Sequence, residues 1–169
     1  MAQLDDAAFS AFYESHVRAL WAYVYRVTGN GADADDVAQE AFLRLLRAGP
    51  DTDDPEQRRR FLYRVASNLL VDRWRKRKRD EPIEDRRAGT EPSGANNLSD
   101  PRDQDVARTF ARLTARDRAL LWLAYVEGET HEEIAASLGV GKRSIKVLLF
   151  RARRRLRELL HARGLSRTS

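Results

Sequence analysis

A chain of 169 residues can build one ordinary domain or two small ones, and the absence of cysteine excludes disulfide frameworks, thiolate metal sites and thiol catalysis. The first residues, MAQLDDAAFS, are acidic where a signal peptide is basic, and no run approaches the roughly 18 apolar residues of a membrane span, so a cytoplasmic protein without membrane insertion is expected. The net charge of +5 conceals blocks of opposite sign: −7 over residues 1–57, +9 over 58–79, −5 over 80–105, −1 over 106–141 and +9 over 142–169. Basic blocks of this density suit a polyanion, whereas the acidic first block suits a protein surface rich in lysine and arginine.

The first predicted helix carries Phe9, Phe12, Tyr13, Val17, Leu20, Trp21, Val24 and Val27 at spacings of three and four. Thr28 to Gly31 break that pattern. A second helix is expected from about Asp33, whose carboxylate can cap it, with Val37, Ala38, Ala41, Phe42, Leu45 and Leu46 as its buried stripe. Gly49 and Pro50 end it, and Pro55 suits the first turn of a third helix running to about Arg79. In this helix Phe61, Leu62, Val65, Ala66, Leu69, Leu70 and Trp74 keep helical spacing and leave the cations outside. Residues 80–101 hold three of the five prolines and almost no apolar side chains, the composition of a flexible acidic linker. Helical patterning resumes near Arg102, passes Val106, Phe110 and Leu113, and restarts after the expected cap Thr114.

The most specific signal spans Thr130 to Leu160, THEEIAASLGVGKRSIKVLLFRARRRLRELL, which reads as a helix-turn-helix. Thr130 and Glu133 make a capping box, Ile134, Ala135 and Leu138 face inward, and Gly139 supplies the turn. Val140 and Ile145 seal the corner. The second helix then presents Lys142, Arg143, Ser144 and Lys146 to the major groove. His131-Glu132 resembles the start of a zinc-protease helix, but the second histidine that motif needs would fall at Ala135. No metal site and no cofactor are expected, and no carboxylate or histidine constellation marks an enzyme.

Together these halves resemble the extracytoplasmic-function sigma factors, the smallest members of the sigma-70 family, over nearly the whole chain. The resemblance is carried by DADDVAQEAFLRLLR at 33–47, FLYRVASNLLVDRWRKRKR at 61–79 and the helix-turn-helix, in that order around an acidic linker. It implies an all-α protein of two small domains, 1–80 and 106–169, joined by a linker at 81–105. The first domain would bind the clamp coiled coil of the largest subunit of core RNA polymerase through Asp36, Gln39, Glu40, Leu43 and Arg44. It would also melt the minus-10 element, with Asn68 beside an extruded base of the single strand. Arg58, Arg59, Arg60, Arg64, Arg73, Arg75, Lys76 and Arg77 would hold phosphates. Asp72, the lone acid of this block, is expected to pair with a neighbouring arginine. Trp74 is placed either to stack on bases or to pack in register with Leu70. The linker resembles the segment that threads the polymerase cleft.

By the same resemblance the second domain reads minus-35 duplex through Lys142, Arg143, Ser144, Lys146, Arg151 and Arg154, and sits on the flap of the second-largest subunit. An anti-sigma factor is expected among the partners. The function implied is that of a sigma factor, which forms holoenzyme with core polymerase and promotes promoter opening without catalytic residues of its own. The alternative is a stand-alone dimeric helix-turn-helix regulator. The chain departs from the family at Val147-Leu148-Leu149-Phe150, where a small polar residue and an arginine usually follow the lysine. A helix cannot bury four consecutive residues against one surface, so at least one of them faces DNA, the flap or an inhibitor. Gly141 replaces the usual hydroxyl cap, which weakens the start of this helix.

Overall fold

The computed structural model describes residues 5–80 and 100–164, so most of the predicted linker lies outside the described residues. Those residues form seven helices: α1 Asp6–Thr28, α2 Gly31–Ala48, α3 Pro55–Asp80, α4 Pro101–Ala111, α5 Ala115–Tyr125, α6 His131–Leu138 and α7 Lys142–Ala162. The all-α expectation holds throughout them. The last positions of the expected linker are helical, because Asp100 accepts from the Arg102 amide and Pro101 opens α4.

Local chemistry sets the helix boundaries. Gly29 ends α1 with φ +67 and donates its amide to the Tyr25 carbonyl, a left-handed position that glycine adopts without strain. Asn30, rather than Asp33, then caps α2: its Oδ1 accepts from the amides of Ala32 (2.9 Å) and Asp33 (3.1 Å). Asp33 is thereby released for a different role. Its two carboxylate oxygens accept from Arg73 Nη1 at 2.8 Å and Arg77 Nη2 at 3.0 Å, joining α2 to α3. Asp72, expected to make such a pair, is exposed and has no ion-pair partner among the described residues.

Helices α1 to α3 pack around Leu20, Val24, Phe42, Leu45, Leu62 and Leu70, with a buried hydrogen bond of 2.8 Å between Tyr23 Oη and Ser67 Oγ. Leu46 is an exception to the predicted stripe. It lies about 100° around the helix from Leu45, which takes the inward position, and is 48% exposed. In the second unit Leu120, Leu123, Ile134, Ile145 and Leu149 are buried between α5, α6 and α7. Leu113, Leu121 and Ala152 form a smaller cluster under α4.

The two units pack on each other. Helix α6 lies along α3 and α5 meets α1, so that Leu62, Leu70, Leu120, Leu123, Ile134 and Leu138 belong to one continuous core. Trp74 is partly buried against this core.

Arg118, buried on α5, bridges the units. Its Nε and Nη2 donate to the Val27 carbonyl at 3.1 and 2.6 Å, while Nη1 donates to the carbonyls of Ala111 (2.6 Å) and Leu113 (3.0 Å). The Val27 and Ala111 carbonyls belong to final helical turns, where the last four carbonyls have no intrahelical partner and carry partial negative charge. Removing the guanidinium leaves these acceptors in a low-dielectric seam. Arg118→Ala is therefore expected to lower unfolding free energy by about 2–4 kcal/mol in urea denaturation. A loss below about 1 kcal/mol would show that the bridge contributes little.

Candidate nucleic-acid and protein interfaces

Three surfaces gather the residues singled out in the sequence. On α2, Asp36, Gln39, Leu43 and Arg44 are exposed on the side away from Val37, Ala41 and Leu45. Glu40 is half-buried and accepts from Arg44 Nε at 2.8 Å, one turn along the helix. Beside them runs an apolar groove between α1 and α2, lined by Tyr13, Val17, Trp21, Gln39, Leu43 and Leu46. Asp35 fixes one wall by accepting from Trp21 Nε1 at 2.7 Å. Tyr13 and Leu46 were missed as surface residues because both fit the apolar period. The available signal was the position of Leu46 at the edge of the apolar stripe, about 100° around the helix from Leu45.

On α3, Arg64 and Asn68 are exposed one turn apart, and Arg75 and Lys76 are exposed farther along, with Arg75 reaching the turn at Gly139. The other cations are engaged. Arg73 and Arg77 hold Asp33; Arg58 approaches Asp53 at 3.8 Å. Arg59 donates to Glu56 on its own helix and, through Nη1, to Glu127 across the seam at 3.0 Å. Arg60 Nε lies 3.4 Å from Glu56 and 3.0 Å from Glu133 of α6. Thus two arginines predicted to face phosphate are held by carboxylates of the second unit.

Glu129 sits in the same seam. It is 7% exposed, and its Oε2 is buried without a hydrogen-bond partner among the described residues. Burial, and then the neighbouring Glu133 charge, push the Glu129 carboxyl up to about 7 against the pull of Arg59 and Arg60. The hydrogen bond to Glu56 holds the Arg59 guanidinium above its ordinary range, while burial holds Arg118 below it.

The helix-turn-helix forms as its residues require. The Glu133 amide donates to Thr130 Oγ1 at 3.2 Å and the Thr130 amide to Glu133 Oε2 at 2.8 Å, completing the capping box. Gly139 turns the chain with φ +64, and Ile145 is fully buried in the corner. Gly141 provides no side-chain cap to α7. Lys142, Arg143, Ser144, Lys146, Arg151 and Arg154 are all exposed, Lys142 reaching Glu132 at 3.5 Å and Arg154 reaching Glu158 at 3.8 Å. Arg153 and Arg155 differ from them: the first donates to Tyr125 Oη at 2.7 Å, the second to buried Asp117. Of the apolar run, Leu149 is buried and Leu148 half-buried, while Val147 and Phe150 are 48% and 57% exposed.

The first unit, residues 12–80, matches the family model for sigma-70 region 2, and residues 103–156 match that for sigma-70 region 4. The chain therefore belongs to the extracytoplasmic-function sigma factors of the sigma-70 family, whose members are non-enzymatic transcription initiation factors. Similar proteins include the ECF RNA polymerase sigma factor SigL of Mycobacterium tuberculosis, 31% identical over 98% of this chain and 96% of that protein. SigW of Bacillus subtilis is 30% identical over 92% of this chain and 90% of its own. Among solved structures, CnrH in complex with the cytosolic domain of CnrY has a TM-score of 0.62 at 27% identity, covering 94% of this chain and 90% of that one. The sigma factor RpoE of Bartonella quintana, in complex with the anti-sigma factor NepR, shares the fold with a TM-score of 0.64 at 23% identity, over 90% and 96%. No helix among the described residues is long and apolar enough to cross a membrane.

The raised Glu129 carboxyl gives the seam a pH dependence. Because the folded value of about 7 exceeds the ordinary one, the neutral acid is favoured in the fold. Its stabilising contribution is complete below about pH 4.5 and is lost as pH rises through 7. Glu129→Gln is expected to remove this loss, raising Tm by a few degrees at pH 8 and leaving it nearly unchanged at pH 5. Equal differences between variant and wild type at both pH values would exclude Glu129 as the titrating group.

Proposed function

We propose that this sigma factor binds core RNA polymerase through the α2 face, opens the minus-10 element through α3 and reads the minus-35 duplex through α7. The observation that carries the reading is the placement of exposed cations on two different units, one around Asn68 on α3 and one on the leading face of the helix-turn-helix. An α7 N-terminus presented to the major groove puts Lys142, Arg143, Ser144 and Lys146 at base edges, with Arg151 and Arg154 toward phosphate. On α3, an exposed amide such as Asn68 can donate to and accept from one base edge while Arg64, Arg75 and Lys76 hold the strand. Arg58, Arg59, Arg60, Arg73 and Arg77 complete the phosphate surface once their carboxylate partners are displaced. Core polymerase supplies the chemistry, the flap of its second-largest subunit receives the second unit, and the reaction places the protein in the cytoplasm.

Promoter engagement requires the two units to separate. Elements about 25 base pairs apart are roughly 85 Å from each other, whereas a folded chain of this length is about 40 Å across when compact. Separation also releases Arg59 and Arg60 from Glu127 and Glu133, so that closed packing and phosphate binding compete for the same guanidinium groups. Two relatives by structure are held by partner proteins, NepR and the cytosolic domain of CnrY. A comparable anti-sigma factor fits this chain as well.

In vitro transcription with core polymerase over a genomic fragment library tests the reading: discrete start sites that depend on this chain are expected. Footprinting of palindromic DNA by the protein alone would instead identify a dimeric regulator. Two variants separate the surfaces. Glu40→Lys removes the pair with Arg44 and places a cation against a basic partner, so polymerase binding is expected to weaken about tenfold or more while folding is preserved. Asn68→Ala should reduce permanganate reactivity of minus-10 thymines without altering minus-35 binding; equal reactivity removes Asn68 from the melting site.

A further inference from the structure

Helix α7 buries Ile145, Leu149 and Ala152, and at 100° per residue the opposite face is a stripe of Arg143, Val147, Phe150 and Arg154. Val147 lies about 6 Å along the axis from Arg143 and Phe150 about 4.5 Å farther, so two large apolar side chains occupy the middle of a stripe with a cation at each end. Their surroundings are cationic: Lys142, Lys146, Arg151 and Arg157 flank the stripe, and α7 carries no carboxylate before Glu158. Apart from Glu132, which approaches Lys142, the leading half of the helix offers nothing acidic.

We infer that Val147 and Phe150 read thymine methyl groups in the minus-35 duplex, making part of its sequence preference apolar. The inference rests on α7 being the duplex-reading helix. In the major groove the C5 methyl of thymine is the apolar feature by which a T·A pair differs from the other pairs, and an aliphatic or aromatic side chain is its complement. Val147 is the sixth residue of α7, within the turns that a recognition helix lays along base edges, and Phe150 follows one turn later on the same face. A protein partner is the poorer match. Two side chains are a small patch against the 20 or more residues of a typical protein interface, and the ring of cations around them complements phosphates on both sides of a groove.

Deoxyuridine tests this directly, since it lacks only the methyl. Holoenzyme assembled from the full chain and core polymerase would select a minus-35 element from a randomised library. Each thymine of the winning duplex is then replaced by deoxyuridine. Affinity is expected to fall about fourfold for each contacted methyl removed, at one or two positions. Val147→Ala and Phe150→Ala, both at exposed sites and checked for folding by circular dichroism, should bind the thymine duplex more weakly and each lose the sensitivity at one position. The inference is overturned by a selected element lacking thymine under α7, by deoxyuridine tolerated at every position, or by methyl sensitivity undiminished at every position in both variants. Variants that weaken polymerase binding while keeping methyl sensitivity would assign this face to a protein. Failure of the holoenzyme to select any minus-35 element would remove the duplex-reading role itself, a result distinct from a selected element indifferent to the methyl.

Discussion

The Arg118 guanidinium sits where α1, α4 and α5 converge, and the arrangement of the whole molecule depends on it. A buried arginine without acceptors costs several kcal/mol, so its position is tenable only where carbonyls surround it. Val27 at the end of α1 supplies one, and Ala111 and Leu113 around the end of α4 supply two more. The same contacts satisfy carbonyls that the helices cannot pair internally. Because Val27 lies in one unit and Arg118 in the other, the need to satisfy a single side chain also joins the units.

Around this point the seam combines terms of different character. Leu62, Leu70, Leu120 and Leu138 contribute apolar burial, which ionic screening does not weaken. Arg59 with Glu127 and Arg60 with Glu133 contribute charge pairs, of which the more exposed Arg60–Glu133 pair weakens more as ionic strength rises. Glu129 opposes the seam when ionised and supports it when neutral. The closed molecule thus balances apolar attraction against a carboxylate cluster, while its α7 cations, Val147 and Phe150 remain accessible. Under the proposed function, polymerase and DNA must together outweigh that balance for both promoter elements to be held at once.

Much of this was legible in the sequence, for physical reasons. The 3.6-residue period of α1 to α3, the glycine and proline boundaries and the Thr130-Glu133 capping box are local features, and local features survive tertiary context. Three errors share one cause. Asp33 was assigned to a cap that Asn30 holds, Asp72 to an ion pair that Asp33 makes with Arg73 and Arg77, and Leu46 to a core that Leu45 fills. In each case two residues able to play the same part compete, and the three-dimensional placement of their backbones chooses between them. The seam was invisible for a stronger reason: the donors on Arg118 and the acceptor on Val27 are 91 residues apart. The sequence pattern indicates that Arg118 is charged and helical, but not which carbonyl receives it. The proposed polymerase face, Asn68 and the proposed minus-35 cations rest mainly on family resemblance, with Leu43 and the apolar run the features that periodicity alone exposes.

Under the proposed function, one chain closes on itself when free and spreads across two promoter elements when bound to polymerase. The absence of cysteine makes it accessible to paired labels at Ser15→Cys on α1 and His161→Cys on α7, both exposed positions. Their distance distribution, measured by electron–electron double resonance, should be single and narrow for the free chain. It should lengthen by tens of ångströms in a promoter-bound holoenzyme, because the elements themselves are that far apart. An unchanged distance on a promoter whose minus-35 and minus-10 elements are both protected would contradict the account.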